Sequence, residues 1–382
     1  MSFFSILRKR YKTQAASLPN DIYNLNKQLD KAIKWIKRAQ AVTPDDGVAQ
    51  AFFVKLPEWK ASYPETTGYI IPTMFDFFHL TGENVYREAA EKMANWECEV
   101  QLADGAVRAG TIEDNLTKPT IFNTGQVLFG WARAYEETKN ERYLNSLARA
   151  ADWLCDVQDN DGAWRKFGST KTKTSLNTYN TRTAWGLIEA HKVTGNERYS
   201  QAAGRNLDWA LTQQLTNGWW ENNCLTDNKR PFTHTIAYAM RGFLEVGDFL
   251  KEDKYIEAAL KAARALLKKQ KRNGSWAGQF NRKWKAKCRW SCLTGNSQLA
   301  VNFIRLFEIT GERKFFESAQ RANLFNMSIQ DIQTDDPNIL GGIPGSWPID
   351  GYYHPYQYPN WAAKFFADAL MAELRHRPEK IK

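Results

Sequence analysis

The sequence predicts an all-α fold in which six helical hairpins close into a ring, an (α/α)6 toroid. Three observations carry that expectation. An Asp/Asn-Gly pair recurs at Asp46-Gly47, Asp104-Gly105, Asp161-Gly162, Asn217-Gly218 and Asn273-Gly274, with Gly345-Ser346-Trp347 as a looser sixth copy. The first five glycines are spaced by ~57 residues, a regular period of the kind that marks a repeat architecture. A helix stop followed by an aromatic residue also recurs, at Thr81-Gly82 with Tyr86, Thr138-Lys139-Asn140 with Tyr143, Thr194-Gly195 with Tyr199, Gly247-Asp248 with Tyr255, and Thr310-Gly311 with Phe315. Between these markers two kinds of helical pattern alternate.

In chain order, the first kind covers Leu25–Gln40, Val85–Gln101, Arg142–Gln158, Arg198–Gln214, Tyr255–Gln270 and Lys314–Ile329. These segments are amphipathic, carry Ala, Lys, Arg and Glu on one face, and mostly end in Gln just before the Asp/Asn-Gly turn. The second kind covers Tyr69–Leu80, Thr124–Thr138, Thr181–Thr194, Thr235–Val246, Ser297–Thr310 and Trp361–Leu374. They are apolar on more sides, as the inner wall of a toroid requires. An open solenoid shares the alternation. Six matched pairs, with no partner after the last inner helix, favour closure. The expected domains are a basic tail at 1–21, one toroid at 22–376 and a short tail at 377–382.

Links from inner to outer helices are tight turns, whereas outer-to-inner links are longer than compact domains normally need. Alternating helix direction sends every long link to one end of the toroid. The inner-helix N-termini arrive there too, and their unpaired N–H groups and dipoles favour anions. The functional site is therefore expected at that mouth.

Composition narrows the partners. A chain of 382 residues that is 43% hydrophobic can bury a large core, and no run reaches the ~18 apolar residues of a membrane span. The N-terminal Met1-Ser-Phe-Phe-Ser-Ile-Leu-Arg-Lys-Arg puts its charges after a short apolar patch, the reverse of a signal peptide. It reads as a basic tail, with weak peripheral membrane contact as the alternative. Five cysteines speak against a disulfide framework and for a reducing cytoplasm. The net charge of +10 is concentrated in Lys271, Arg272, Arg282, Lys283, Lys285, Lys287 and Arg289, with no acid between them. Trp276, Trp284 and Trp290 interleave these cations, a pattern suited to an acidic, ring-containing ligand. No nucleic-acid recognition motif accompanies the charge, so nucleic acid is not expected.

Each repeat brings a polar cluster to the mouth. Glu65 follows Tyr63-Pro64; Asn123 and Gln126 open the second inner helix; Tyr179, Asn180 and Arg182 open the third. His234 and Tyr238 open the fourth, Asn296 and Gln298 the fifth, and Asn360, Trp361 and Lys364 the sixth. Asn and Thr at such places also serve as helix caps, but Tyr, Arg, His and Lys exceed what capping needs. His234 reads as a general base or a carboxylate binder, with a satisfied core histidine as the alternative. Tyr179 or Tyr238 becomes an acid or base if Arg182 or Lys364 lowers its pKa. Trp164, Trp219, Trp220 and Trp276 follow turn glycines, where a ring serves as a sugar platform or as a clamp on its own loop.

This repeat plan, the Asp/Asn-Gly-x-Trp loops and the polar inner-helix starts resemble the (α/α)6-toroid carbohydrate enzymes. That group includes unsaturated glucuronyl hydrolases, N-acylglucosamine 2-epimerases, glucuronyl C5-epimerases and toroid polysaccharide lyases. The segments Tyr63–Tyr69, Cys292–Gln298 and Tyr358–Lys364 look most like toroid proteins encoded with bacterial exopolysaccharide biosynthesis. The resemblance spans roughly residues 22–376 and implies an acidic carbohydrate substrate. In the lyases, Asn, Arg or His neutralises a uronate carboxylate, a Tyr or His removes the C5 proton, and a Tyr protonates the leaving oxygen. Asn123, Tyr179, Arg182, His234 and Tyr238 supply that set by type, so proton abstraction at C5, by lyase or epimerase, is the expected reaction.

Three alternatives stand beside it. A glycoside hydrolase would use Glu65 with a second carboxylate, from Asp161, Glu221 or Asp350. No cofactor is expected, but a zinc enzyme would use Cys224, His234, Cys288 and Cys292. A non-catalytic protein would hold the glycan without turning it over.

Overall fold

The structure, a computed structural model, describes residues 24–114, 117–168 and 176–377. The basic tail read at 1–21 and all of the C-terminal tail beyond Arg377 lie outside the described residues.

Twelve α-helices, alternately outer and inner, make up the described ring. The outer helices are α1 (Leu25–Ala41), α3 (Asn84–Val100), α5 (Glu141–Asp156), α7 (Glu197–Thr212), α9 (Asp253–Leu267) and α11 (Arg313–Met327). The inner ones are α2 (Pro64–Thr81), α4 (Ile121–Thr138), α6 (Thr181–Thr194), α8 (Thr233–Leu250), α10 (Leu293–Thr310) and α12 (Asn360–Arg375). Each inner helix packs on the next, and α12 packs on both α1 and α2, so the fold is a closed (α/α)6 toroid.

Short strands complete the closure. β1 (Ala51–Phe53) lies between β2 (Glu58–Trp59) and β5 (Gln357–Pro359), with Phe52 opposite Tyr358. The first long loop is thereby joined to the last. A second pair, β3 (Ser291–Cys292) and β4 (Ser346–Trp347), ties the fifth loop to the sixth.

The glutamine that ends each outer segment has a defined task. Gln101 Nε2 donates to Gly105 O and to Ser146 O of the next outer helix, and Gln158 Nε2 donates to Gly162 O and Ala202 O. Gln40, Gln214 and Gln270 repeat the bracket. Gln330 completes it, donating to Gly341 O and, across the seam, to Gln28 O of α1. One amide thus fixes a turn and the neighbouring repeat at once.

The turn must come close to do so. At Gly162, with φ of 87°, an added Cβ would stand 2.2 Å from Arg205 O; at Gly341, with φ of 90°, it would stand 2.1 Å from Lys31 O. Only glycine fits a left-handed turn pressed on a backbone carbonyl. Gly341 is therefore the sixth turn, not Gly345 as the sequence suggested. The fourth stop also moves: α8 runs through Gly247-Asp248 to Leu250, and Lys251 takes the left-handed cap at φ of 57°.

Most inner helices begin earlier than hydropathy indicates. Pro64 and Leu293 each open a helix four or more residues before the expected start, because their first turns are polar yet buried, as at Thr66, Thr67, Thr294 and Asn296.

Removing one bracket should be measurable. Gln158→Leu removes both donated bonds, although Gly162 O keeps the one from Asn206 Nδ2, and is expected to cost about 1–3 kcal/mol, read from the midpoint of urea unfolding at unchanged helix content.

Candidate active site at the mouth of the toroid

The first turns of α2, α4, α8 and α12, with Tyr179 just ahead of α6, converge on a cavity of about 90 Å³. Its wall includes Tyr63, Glu65, Asn123, Tyr179, His234, Tyr238, Tyr353, His354 and Trp361. Pro64 occupies the first position of α2, where its missing N–H costs nothing, and sets half-buried Glu65 just inside the helix. Tyr63 Oη donates to Glu65 Oε2 at 2.5 Å. Asn123 Nδ2 donates to Arg108 O, fixing the amide against its own loop. A single 3₁₀ turn, Thr178–Asn180, precedes α6 and presents Tyr179.

Aromatic rings line the space. Phe122 contacts Tyr179 at 5.1 Å and Tyr238 at 5.0 Å between centroids, and His234 lies 4.4 Å from Tyr238. Trp361 Nε1 donates to Tyr353 Oη at 2.9 Å, and His354 packs edge-on against Trp361.

Burial decides the protonation states. His234 is 7% exposed and its pKa falls to about 3, because desolvation outweighs the hydrogen bond to Gln298. Its Nδ1 lies 3.0 Å from Gln298 Oε1. In that pairing Nδ1–H donates, and Nε2 keeps its lone pair. Burial also pushes Tyr63, Tyr179, Tyr238 and Tyr353 above the ordinary phenol range. Arg182 does pull Tyr238 down, as anticipated, but less than burial raises it. The tyrosines are therefore neutral hydroxyls in the resting site.

Of the residues predicted for the site, Glu65, Asn123, Tyr179, His234, Tyr238 and Trp361 line this cavity. Arg182 and Lys364 do not. They sit deeper along α6 and α12 and line a second cavity toward the opposite end. Gln126 Oε1 accepts from Arg182 Nε at 2.6 Å, and Gln298 lines the second cavity while holding His234. Asn296 and Asn360 are internal braces: Asn296 Oδ1 accepts from Trp276 N, and Asn360 Nδ2 donates to Ala49 O and Thr66 Oγ1. Asn180 is buried in the 3₁₀ turn.

The loop tryptophans are clamps, not platforms. Trp164 Nε1 donates to Leu154 O and Trp276 Nε1 to Leu266 O, each ten residues back on its own outer helix. Trp219 packs edge-on against Trp284, and Trp220 stacks on Phe243. Trp276 and Trp284 are buried beneath exposed Arg282, Lys283, Lys285, Lys287 and Arg289, so the cations face solvent without those two rings between them. Tyr353 and His354 were missed because they lie in the last loop, ahead of any helical pattern; a Gly-Tyr-Tyr-His run at 351–354 was the available signal.

Glu65 is the one carboxylate among the described lining residues. Asp161 is bound by Arg165, which lowers its pKa to about 2; Glu221 pairs with Arg282 at 3.3 Å; Asp350 is exposed. Nor do Cys224, His234, Cys288 and Cys292 converge: among the described residues no three His, Cys, Asp or Glu side chains could hold one metal ion. Cys292 Sγ instead accepts from Gly295 N at the start of α10, and Cys224 Sγ from Thr226 N and Asp227 N.

A closed toroid with a polar, aromatic mouth defines the class of (α/α)6 carbohydrate-active proteins, and solved structures agree on the fold. An unsaturated glucuronyl hydrolase specific for heparin matches with a TM-score of 0.76 at 15% identity, over 94% of this chain and 98% of that one. Cellobiose 2-epimerase from Bacillus thermoamylovorans matches with a TM-score of 0.73 at 12% identity, over 92% and 99%. A D-mannose isomerase matches with a TM-score of 0.71 at 12% identity, over 94% and 100%. The chain itself belongs to the beta-L-arabinofuranosidase, GH127 catalytic domain family, whose sequence model matches residues 13–271. It is therefore a carbohydrate-processing enzyme.

The state of His234 can be read directly. The unfolded chain protonates this ring near ~6.5, whereas the folded chain resists until about pH 3. Its stability contribution is thus complete above the unfolded value and is lost as pH falls toward 3. Urea unfolding of wild type and His234→Asn from pH 7 to pH 4 should show the steeper decline in wild type, and the ring's NMR shifts should stay those of neutral imidazole throughout.

Proposed function

We propose that the enzyme cleaves a glycosidic bond of an acidic oligo- or polysaccharide, with Glu65 protonating the leaving oxygen and His234 assisting the incoming water. The observation that carries this reading is the position of Glu65: a half-buried carboxyl group held by Tyr63 in an aromatic cavity, and the one acid among the described lining residues. Two carboxylates usually share this work, one as acid and one as base. Here the second role falls to neutral His234, whose conjugate acid has a pKa of about 3, so the imidazole is a weaker base than an ordinary carboxylate at ~4.3. Such a base suffices when an oxocarbenium-like transition state draws the water in. Membership of a glycosidase family supports the same choice.

The acidic substrate rests on two supports. The first turns of α2, α4, α8 and α12 line the mouth, and the exposed cations of the 282–289 loop stand on that end of the ring. A role in exopolysaccharide metabolism and a cytoplasmic setting accord with this substrate class and with five free cysteines. No described helix is long and apolar enough to cross a membrane.

Proton abstraction at C5 of a uronate, by lyase or epimerase, is the second reading. It is favoured by two imidazoles, His234 and His354, lining one cavity with Tyr179 and Tyr238. It is weakened by Arg182, the intended partner of the uronate carboxylate, which lies behind Tyr238 and lines the other cavity.

Incubation with uronate-containing oligosaccharides distinguishes the readings. Hydrolysis predicts new reducing ends with no unsaturated product and no solvent deuterium at C5, and Glu65→Gln should lower kcat/KM by about 10²- to 10⁴-fold. Unsaturated product or C5 deuterium would transfer the assignment to the second reading.

A further inference from the structure

The toroid holds a second cavity, of about 270 Å³, deeper along the inner helices. Tyr69 and Tyr238 line both spaces and partition them. The mechanism proposed for the mouth draws on this lower chamber only through Gln298, which holds His234, yet the chamber contains a buried cation and two polar groups without well-formed partners.

Arg182 is 5% exposed and makes one hydrogen bond, from Nε to Gln126 Oε1. Rings of Tyr238, Phe129, Trp185, Phe365 and Tyr69 surround its guanidinium at 4.9–6.0 Å. Among the described residues no carboxylate lies within salt-bridge distance of it, so its two Nη groups have no anionic partner. Lys364, on the same floor, differs: its ammonium is bonded to Asp368 at 2.5 Å. The other lining acids are committed or distant. Asp76 pairs with Arg133, Glu189 bonds Lys192 and Trp185, and Glu136 lies in the last turn of α4, at the open end.

Gln298 supplies a second, independent sign. Its Oε1 is engaged by His234, while its Nε2 is buried with no hydrogen-bond partner, and the side chain lines the chamber. The Tyr238 hydroxyl, which neighbours Tyr69 and Gln298, is likewise buried without a well-formed hydrogen bond. Buried donors left unpaired cost free energy that an acceptor would recover. A guanidinium, an amide N–H and a hydroxyl around one polar chamber form a donor set matched to an oxyanion.

We infer that this lower chamber is an anion site, distinct from the mouth, which binds a small carboxylate or phosphate through Arg182 and Gln298. Occupancy would hold Gln298 with Nε2 toward the anion and Oε1 toward His234, keeping Nδ1–H on the ring and Nε2 open to the mouth. A ligand in one cavity would thereby set the tautomer of the histidine in the other. The binding claim stands without the glycosidase reading; only the link to His234 draws on it.

Isothermal titration of the full-length protein with inorganic phosphate, and separately with acetate, tests the inference. Wild type should bind one anion saturably. Arg182→Met and Gln298→Leu should each weaken binding at least about tenfold, equivalent to ~1.4 kcal/mol, whereas Glu65→Gln should bind as wild type does. Phosphate binding alone would assign a phosphorylated ligand, and acetate binding a carboxylate. If Arg182→Met does not fold, Gln298→Leu carries the comparison. Absence of saturable binding to wild type by either anion, or unchanged affinity in the variants that fold, would overturn it. Because the readout is heat of binding, the result is independent of whether the mouth hydrolyses anything.

Discussion

The structure depends on one repeated interaction, the glutamine amide that ends each outer segment and donates both to its own turn and to the next outer helix. Each bond is worth little alone, but the bracket is applied six times and its last copy joins Gln330 to Gln28 across the seam. A ring closed in this way has no frayed edge. It also fixes where each outer helix releases the chain, so the segments that follow can differ in length and sequence without disturbing the wall. Variation therefore gathers at one end, and the site gathers with it.

At that end, burial sets the chemistry more than charge does. The mouth is walled by rings, which drive His234 to its neutral form and hold the tyrosines protonated. Glu65 is the one carboxyl group among the described lining residues, and the proposed proton donor. The two cations expected beside it lie beyond Tyr69 and Tyr238. The axis of the toroid is thus divided into an aromatic, acid-bearing chamber above and a cation-floored one below, with Gln298 lining the lower and bonded to His234 of the upper.

Much of this plan was legible in the sequence, since the glycine period counts the repeats and the alternation of amphipathic and apolar segments separates outer from inner helices. The mouth followed from connection length, and Glu65, Asn123, Tyr179, His234 and Tyr238 from their places at helix starts. Depth was not legible. Tyr179 and Arg182 are three residues apart, but the intervening 3₁₀ turn sends one to the upper chamber and the other to the lower. The tryptophans were ambiguous because a clamp and a platform share the same sequence context; only the bonds of Trp164 and Trp276 to their own helices separate them. Gly341 escaped notice because Leu340 stands where the other turns have Asp or Asn.

The central claim is that a sugar ring reacts in the upper chamber, between Glu65 and His234. A crystal structure of the Glu65→Gln enzyme with a bound uronate oligosaccharide tests it most directly. The account predicts one sugar ring enclosed by Tyr179, His234 and Trp361, with its glycosidic oxygen within hydrogen-bond reach of the residue 65 side chain. A saccharide bound only in the lower chamber, or on the exposed loop 282–289 with the mouth empty, would contradict it.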